Sequence, residues 1–480
     1  MLSTAHAFWW LIAFAALFAV PGLLYARRHN ESLEDFIIAR NSQGATATVL
    51  TLMASTLGTW ILFGPAQAAT WGGLGAIAGY ALGSLAPRLV MIPLGRRLRE
   101  LSPGGHTLTE FVMSRYGRPM YAFTLVIMLF YLFISLAAGV TAIAKMVGLL
   151  APVPLWATSS VVMAATLLYT LYGGLRASIF TDKVQMVVIL PLLAVLLIVG
   201  WQAAGGLTPT LAGLEATAPR LLDITDLGGL KAGLTFFLAV MLTGLFYQGN
   251  WQRVYAAQSN RAVALGFLLG GLLSAPMIFV MGLFGLAFVG LGLPGDGSVA
   301  LFSVLLADIP GWFAVGLIFL GLALVMSSAD TTLSAASSMI AVDGGRLLPG
   351  ASDQRLMRLS RWLILLLALP VTFVAAQGYS VLYLFLLADL LCCAAAFPVF
   401  FGLFNRRFDG RAAVLATVSG LIAGLTLFPA PGDALTTLME SFLLATFMPV
   451  VTGLALLVVL PAKQRFDFAV LSAGARRFEG

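Results

Sequence analysis

Apolar runs of about twenty residues, separated by short polar or basic stretches, follow one another along the whole chain. A run of that length crosses a bilayer as a helix, because a rise of about 1.5 Å per residue carries it through about 30 Å of hydrocarbon. The pattern predicts thirteen transmembrane helices, at 5–26, 46–71, 73–95, 119–149, 153–173, 179–203, 229–256, 262–292, 311–342, 359–377, 379–403, 411–429 and 438–460. The longest outer stretch between them, about 204–228, is polar, contains Pro and Gly, and is expected as a loop. No linker divides the runs into soluble domains, so the fold class is an all-α integral membrane protein. The first run has no basic stretch before it and no clear small-residue cleavage site, which predicts a retained helix rather than a signal peptide.

Composition agrees, with 60% apolar and only 10% charged residues where a soluble domain carries about a quarter charged. Charge also sets orientation. With the N-terminus outside and the C-terminus in the cytoplasm, the stretches 27–45, 96–118, 174–183, 253–261, 343–361, 404–411 and 461–480 face the cytoplasm and hold 23 of the 27 Lys/Arg. That is the positive-inside pattern of a multi-pass protein of the plasma (inner) membrane. The net charge of +7 thus reflects topology and the lipid bilayer, and gives no reason to expect nucleic acid as a partner. Arg88 lies inside a run about two turns from the basic end at Arg96, and snorkelling is expected of it. Cys392 and Cys393 are adjacent and read as packing, and the three histidines, His6, His29 and His106, lie near run ends or in loops. No constellation suits a hydrolytic or redox enzyme.

Two runs are interrupted. The run 46–71 carries Gly58, Gly64 and Pro65, and 229–256 carries Gly244 and Gly249 around Tyr247, Gln248 and Asn250. They lie five helices apart and each opens a block of five; two such blocks cross the membrane in opposite orientations. Paired breaks of this kind point to a 5+5 inverted repeat with its transport site at the breaks. Unwound backbone frees carbonyls for cations, and half-helix N-termini favour anionic groups.

Polar chemistry inside the runs is concentrated at Leu324–Met339, where Ser327, Asp330, Ser334 and Ser338 share one helix face and Ser328 and Thr331 widen it. Oxygen-bearing residues suit a hard cation such as Na⁺. An intramembrane acid is a functional hypothesis by default. Asp330 can ligate a cation, carry a coupled proton or pair with a neighbour. Asp182 follows Gly173-Gly174 and Arg176, and either caps a helix or draws a cation inward. Asp389 is a third acid, expected to face a cavity or to pair with Arg88 or Lys145.

Three stretches resemble the sodium:solute symporter family, the LeuT-type carriers of proline, sialic acid, galactose, pantothenate and urea. They are YGGLRASIFTDKVQ (172–185), MSSADTTLSAASSMIAVD (326–343, ending in Asp343) and YQGNWQRVYAAQS (247–259). The resemblance spans essentially the whole chain. It implies one leading helix (within 1–45), a first repeat and outer loop (46–228), a second repeat (229–408) and two trailing helices (409–480). It further implies a Na⁺ site made by core helices 1 and 8. Matching ASTLGTW (54–60) to the family pattern gives the carbonyls of Ala54 and Leu57, and the paired hydroxyls give the Leu324 carbonyl with the Ser327 and Ser328 side chains. Asp182 then falls on the ion's exit path. Gly58 stands where relatives with a second sodium site have Ser, and Thr56 where some carry an acid; Asp330 has no counterpart in the pattern.

Substrate positions implied by the resemblance fall on Thr56, Tyr80, Ser135 and Tyr247, with Trp60 and Gln248 adjacent. That set is neutral and lacks arginine, which disfavours large carboxylated sugars and suits an amino acid such as proline, or urea, a short amide or a carboxylate. The expectation is a Na⁺-coupled importer of a small polar solute working by alternating access. The alternatives are H⁺ coupling through Asp330, or a transporter-like sensor or ion-conducting pore. The short stretch after the last run is expected to hold no signalling domain.

Overall fold

The computed structural model describes residues 2–29, 32–305, 310–433, 435–459 and 465–473, so 461–464 and 474–480 of the expected cytoplasmic tail lie outside the described residues. The main helices are α1 (Thr4–His29), α2 (Ala45–Thr56), α3 (Gly64–Leu101), α4 (Arg118–Leu150), α5 (Leu155–Ala203), α6 (Leu227–Gly244), α7 (Gln248–Ala256), α8 (Asn260–Gly290), α9 (Gly311–Leu347), α10 (Asp353–Ala376), α11 (Val381–Phe401), α12 (Gly410–Leu425) and α13 (Leu438–Val459). Ten helices among the described residues are long and apolar enough to cross a membrane, and α2 and α12 are shorter apolar helices. The described residues form no strand, only an isolated bridge between Gln43 and Ala257.

At 38 and 49 residues, α3 and α5 are too long to cross a bilayer once. Each turns back within a single residue, at Gly73 (φ 56°) and at Gly174 (φ 48°). Both are left-handed conformations that a side chain disfavours. Space forbids one as well, since a Cβ would stand 2.4 Å from Leu221 O at Gly73 and 2.1 Å from Phe36 O at Gly174. The sequence separates 46–71 from 73–95, and ends one run at 173, at these same two glycines.

The interrupted runs are real breaks. α2 ends at Thr56, Leu57 (ψ 64°) leaves the helical region, Gly58 (ψ 173°) is extended, Thr59–Leu62 make a tight turn, and α3 starts at Gly64 with Pro65 in its first turn. α6 ends at Gly244, and Tyr247 (ψ 106°) separates it from α7. A break inside a bilayer exposes carbonyls that no water reaches. Side chains answer them here: Trp60 Nε1 donates to Thr56 O (3.0 Å), Asn250 Nδ2 to Gly244 O (2.8 Å) and Trp251 Nε1 to Leu245 O (2.8 Å).

α3 packs against α6 and α8, α5 against α1 and α9, and α12 against α13. The α3–α6 contact is glycine to glycine: a Cβ on Gly75 or Gly79 would stand 2.3 Å from Gly229 O or 2.0 Å from Gly233 O. Small residues four apart bring two helix backbones together in this way. The 204–228 stretch is not a loop throughout, as expected from its polarity. It contains a helix, Leu207–Thr217, and a turn, Pro219–Leu221, because Leu214 and Leu221 bury against Ala69, Ile77 and Leu286.

Candidate functional site

The α2 break lies beside the middle of α9. Ser327 Oγ reaches Ala54 O at 3.2 Å and Leu324 O at 3.1 Å, while Ser328 Oγ donates to Leu324 O at 3.0 Å. Ala54, Leu57, Leu324 and Ser327 are fully buried. A Cβ on Gly58 would stand 3.0 Å from Ser328 Oγ, so the break presses directly on this serine. Of the sequence-derived oxygens, Ser327 Oγ spans the cleft from Leu324 O of its own helix to Ala54 O at the end of α2, while Ser328 Oγ bonds back to Leu324 O and faces Gly58 of the break.

Ser328 also opens onto a cavity of about 110 Å³ between the two broken helices, α4 and α11. Five of the six expected substrate residues line it: Thr56, Trp60, Tyr80, Ser135 and Tyr247. Trp60 stacks on Tyr80 (5.5 Å between centroids) and meets Phe385 edge-on at 6.1 Å; Tyr131 meets Tyr247 edge-on at 6.0 Å. Gln248 is elsewhere. Its amide donates to His106 O at 2.9 Å and accepts from Leu108 N at 3.4 Å, so it ties α7 to the loop before Leu108–Tyr116. The chain turns through the break there and carries residue 248 away from the cavity that residue 247 faces.

Arg88 and Asp389 line the same cavity, so its lining is not neutral. Arg88 does not snorkel, because its guanidinium donates to Ser84 O and Thr56 Oγ1 instead of reaching the basic end of α3. Asp389 makes no ion pair with Arg88 or Lys145; the acid beside Lys145 is Asp296. Side-chain direction around a helix apolar on every side left no pattern to read.

Beneath the cleft lies a buried polar network. Asp330, fully buried, accepts from Tyr169 Oη (2.7 Å), Ser178 Oγ (2.8 Å) and Thr181 Oγ1 (2.8 Å). Tyr169 precedes the Gly174 turn and the other two follow it, so Asp330 braces both halves of α5. Of the three expected roles, these contacts correspond to pairing with polar groups on a neighbouring helix. Asp182 pairs with Arg253 at 3.1 Å and accepts from Thr51, and Arg253 also donates to Thr51 and to Thr331 (2.9 and 2.8 Å). Both side chains of the pair are almost fully buried.

Arg253 was not expected there. Counted by sequence among the cytoplasmic charges, it lies inside α7 with 1% of its side chain exposed. The signal was available: only about five residues separate it from the Tyr247 break, a rise of about 8 Å. The pair joins α2, α5, α7 and α9 directly below the cleft.

On the basic side of the molecule, Glu34 binds Arg40 (2.6 Å) and His106 (2.7 Å), and His106 and Arg346 reach Glu110 at 3.3 and 3.4 Å. Thr109 donates to Asp343 at 3.1 Å. The cluster fastens the Leu33–Ile37 and Leu108–Tyr116 helices to the end of α9.

Comparison with known proteins bears on family and fold. The family model described as sodium:solute symporter family matches residues 36–420. The chain is 26% identical over 427 residues to the spermidine transporter DUR31 of Candida albicans, covering 86% of this chain and 79% of the relative. It is 28% identical over 422 residues to a sodium/proline symporter of Haemophilus influenzae, covering 82% of each. The fold is similar to that of a Na⁺-coupled sialic acid symporter in a substrate-bound outward-open state, with a TM-score of 0.77 at 17% identity over 96% of this chain and 99% of the other.

Proposed function

Because the chain belongs to the sodium:solute symporter family, we propose that it is a Na⁺-coupled symporter that imports a small polar solute by alternating access. The observation that carries this reading is the cleft in which Ser327 Oγ stands 3.2 Å from Ala54 O and 3.1 Å from Leu324 O. Na⁺ is a co-transported substrate in it, held by the carbonyls of Ala54, Leu57 and Leu324 and the hydroxyls of Ser327 and Ser328. Hydroxyls that donate to carbonyls without an ion turn their lone pairs to it when it binds. The ion then holds the α2 break against α9. Ser328 belongs to both the cleft and the cavity, so the order of the cleft is passed to the solute's walls through one residue. At about ten to fifteen cubic ångströms per water, the cavity suits a solute of about ten heavy atoms or fewer.

In this reading the Asp182–Arg253 pair is the plug of the inward route, and Na⁺ leaves past Asp182 when α7 and α5 part. The thirteen crossings are α1, the broken α2–α3 unit up to Gly73, the remainder of α3, α4, the two halves of α5, the broken α6–α7 unit and α8 to α13. The ten between the first and the last two form the 5+5 inverted repeat, with the N-terminus outside the plasma (inner) membrane and the C-terminus in the cytoplasm. Asp330 serves as a brace, because three hydroxyls already engage it.

The test is Na⁺-dependent thermal stabilisation of the purified protein. Ser327→Ala should raise the half-saturating Na⁺ concentration about ten- to hundredfold, the range for one lost interaction with a charged group. An unchanged value places the ion elsewhere.

A further inference from the structure

Arg88 and Asp389 are opposite charges that face one small cavity without pairing. Arg88 is 8% exposed and Asp389 5% exposed. Of the five N–H donors of a guanidinium, one on each Nη is engaged, by Ser84 O and Thr56 Oγ1, and the buried Nε has no partner. Asp389 has the Thr243 hydroxyl for a neighbour and no cation within ion-pair distance among the described residues. Tyr131 lines the same cavity as both groups.

Charges at membrane depth are expensive unless matched. An arginine of α3 and an acid of α11 that line a cavity this small without pairing are matched together by one kind of guest, a molecule with both charges close to each other. A neutral amide hydrogen-bonds to both groups but offsets neither charge, a monocarboxylate leaves Asp389 alone, and a polyamine brings positive charge against Arg88. The aromatic wall of Trp60, Tyr80 and Phe385 suits a short apolar body between the charged ends.

We infer that Arg88 and Asp389 are the specificity-determining pair of this cavity and select a small zwitterion, its carboxylate on Arg88 and its ammonium on Asp389. The inference rests on the symporter reading, which makes the cavity a solute site. Thr56 becomes a positioning residue, since its hydroxyl accepts from Arg88 and fixes the guanidinium toward the cavity.

The experiment measures competition binding on the full-length protein in detergent, with proline, alanine, propionate, propylamine, urea and spermidine as probes, alongside the Na⁺-dependent thermal shift. The wild type should bind proline or alanine at least tenfold more tightly than the other four. Asp389→Asn should weaken the amino acids about thirtyfold or more, as loss of one partner of a buried charge pair does, while propionate binds no worse. Arg88→Gln should do the converse, sparing propylamine. Arg88→Lys should recover part of the amino-acid affinity. Retained Na⁺ shifts certify that each variant is folded, and Asp389→Asn alone decides if Arg88→Gln is not. Equal weakening of all probes by both substitutions overturns the inference, and so does tighter wild-type binding of urea or spermidine than of either amino acid. Zwitterion selectivity without any Na⁺ shift supports the pair and instead overturns the sodium reading.

Discussion

Arg253 and Asp182 are both nearly out of water, and each is the other's only ion-pair partner among the described residues. Desolvating two ions costs several kcal/mol apiece, and the pair offsets this only while both members are present. Arg253→Gln or Asp182→Asn alone should therefore lower stability by about 3–5 kcal/mol, read as a lower apparent melting temperature in detergent. The double variant should be less destabilised than the sum of the singles, because neither charge is then left alone. Additive losses would show that the two act independently. At this scale the sequence was legible where composition was unusual, as at Ser327, Ser328 and Asp330, and illegible where direction decides. Residue 247 faces the cavity and residue 248 faces away, although both belong to the same polar knot. Arg88 reads as a snorkelling cation because spacing measures depth and not bearing around the helix. Asp330's three hydroxyl partners come from α5, some 150 positions earlier in the chain.

Helix continuity depends on a few glycines. At Gly174 an alanine would meet both the left-handed strain and Phe36 O, whereas at Gly117 (φ 80°) nothing lies within 4 Å of the added carbon. Gly117→Ala should thus cost only the conformational strain of about 1–3 kcal/mol, and Gly174→Ala more, compared as losses in apparent melting temperature. Equal losses would mean that the α5 turn yields without cost. The fastening of the short helices to α9 is set by pH. Burial opposes charge on Glu34, His106 and Glu110, yet their mutual hydrogen bonds and charges outweigh it, lowering both carboxyls and raising the imidazole. The His106 contribution is fully present below its ordinary value of 6.5 and is lost as pH rises through its raised value. The glutamate contributions are present above their ordinary 4.5 and are lost as pH falls through their lowered values. Thermal stability should accordingly be greatest between about pH 4.5 and 6.5 and decline on the alkaline side, and His106→Gln should flatten that alkaline decline. A decline unaltered by the substitution would assign it to other groups. Elements were easier to read than residues, since Gly58, Gly64 and Pro65 mark the α2 break in any context. The helix at Leu207–Thr217 escaped notice because only Thr210 and Leu214 of its length are buried.

Across the whole molecule, two broken helices meet α9, and the Ser327 cleft, the cavity and the Asp182–Arg253 network all include residues of α9. Under the proposed function the ion is a strut between two helices whose parting opens the protein. Hydropathy read the all-helical, multi-pass character of the molecule well, because the bilayer acts on every residue alike. The contacts that make it a device are long-range and were not legible. Coupling to Na⁺ is the central claim. The most direct measurement is accumulation of radiolabelled proline, or of another small solute that the protein binds, in proteoliposomes at fixed pH with external Na⁺ replaced by choline. Accumulation should fall to the level of protein-free vesicles, and Ser327→Ala should behave in Na⁺ as the wild type does in choline. Uptake that is unchanged in choline, follows an imposed pH gradient and disappears in Asp330→Asn would contradict the account and make the protein a proton symporter.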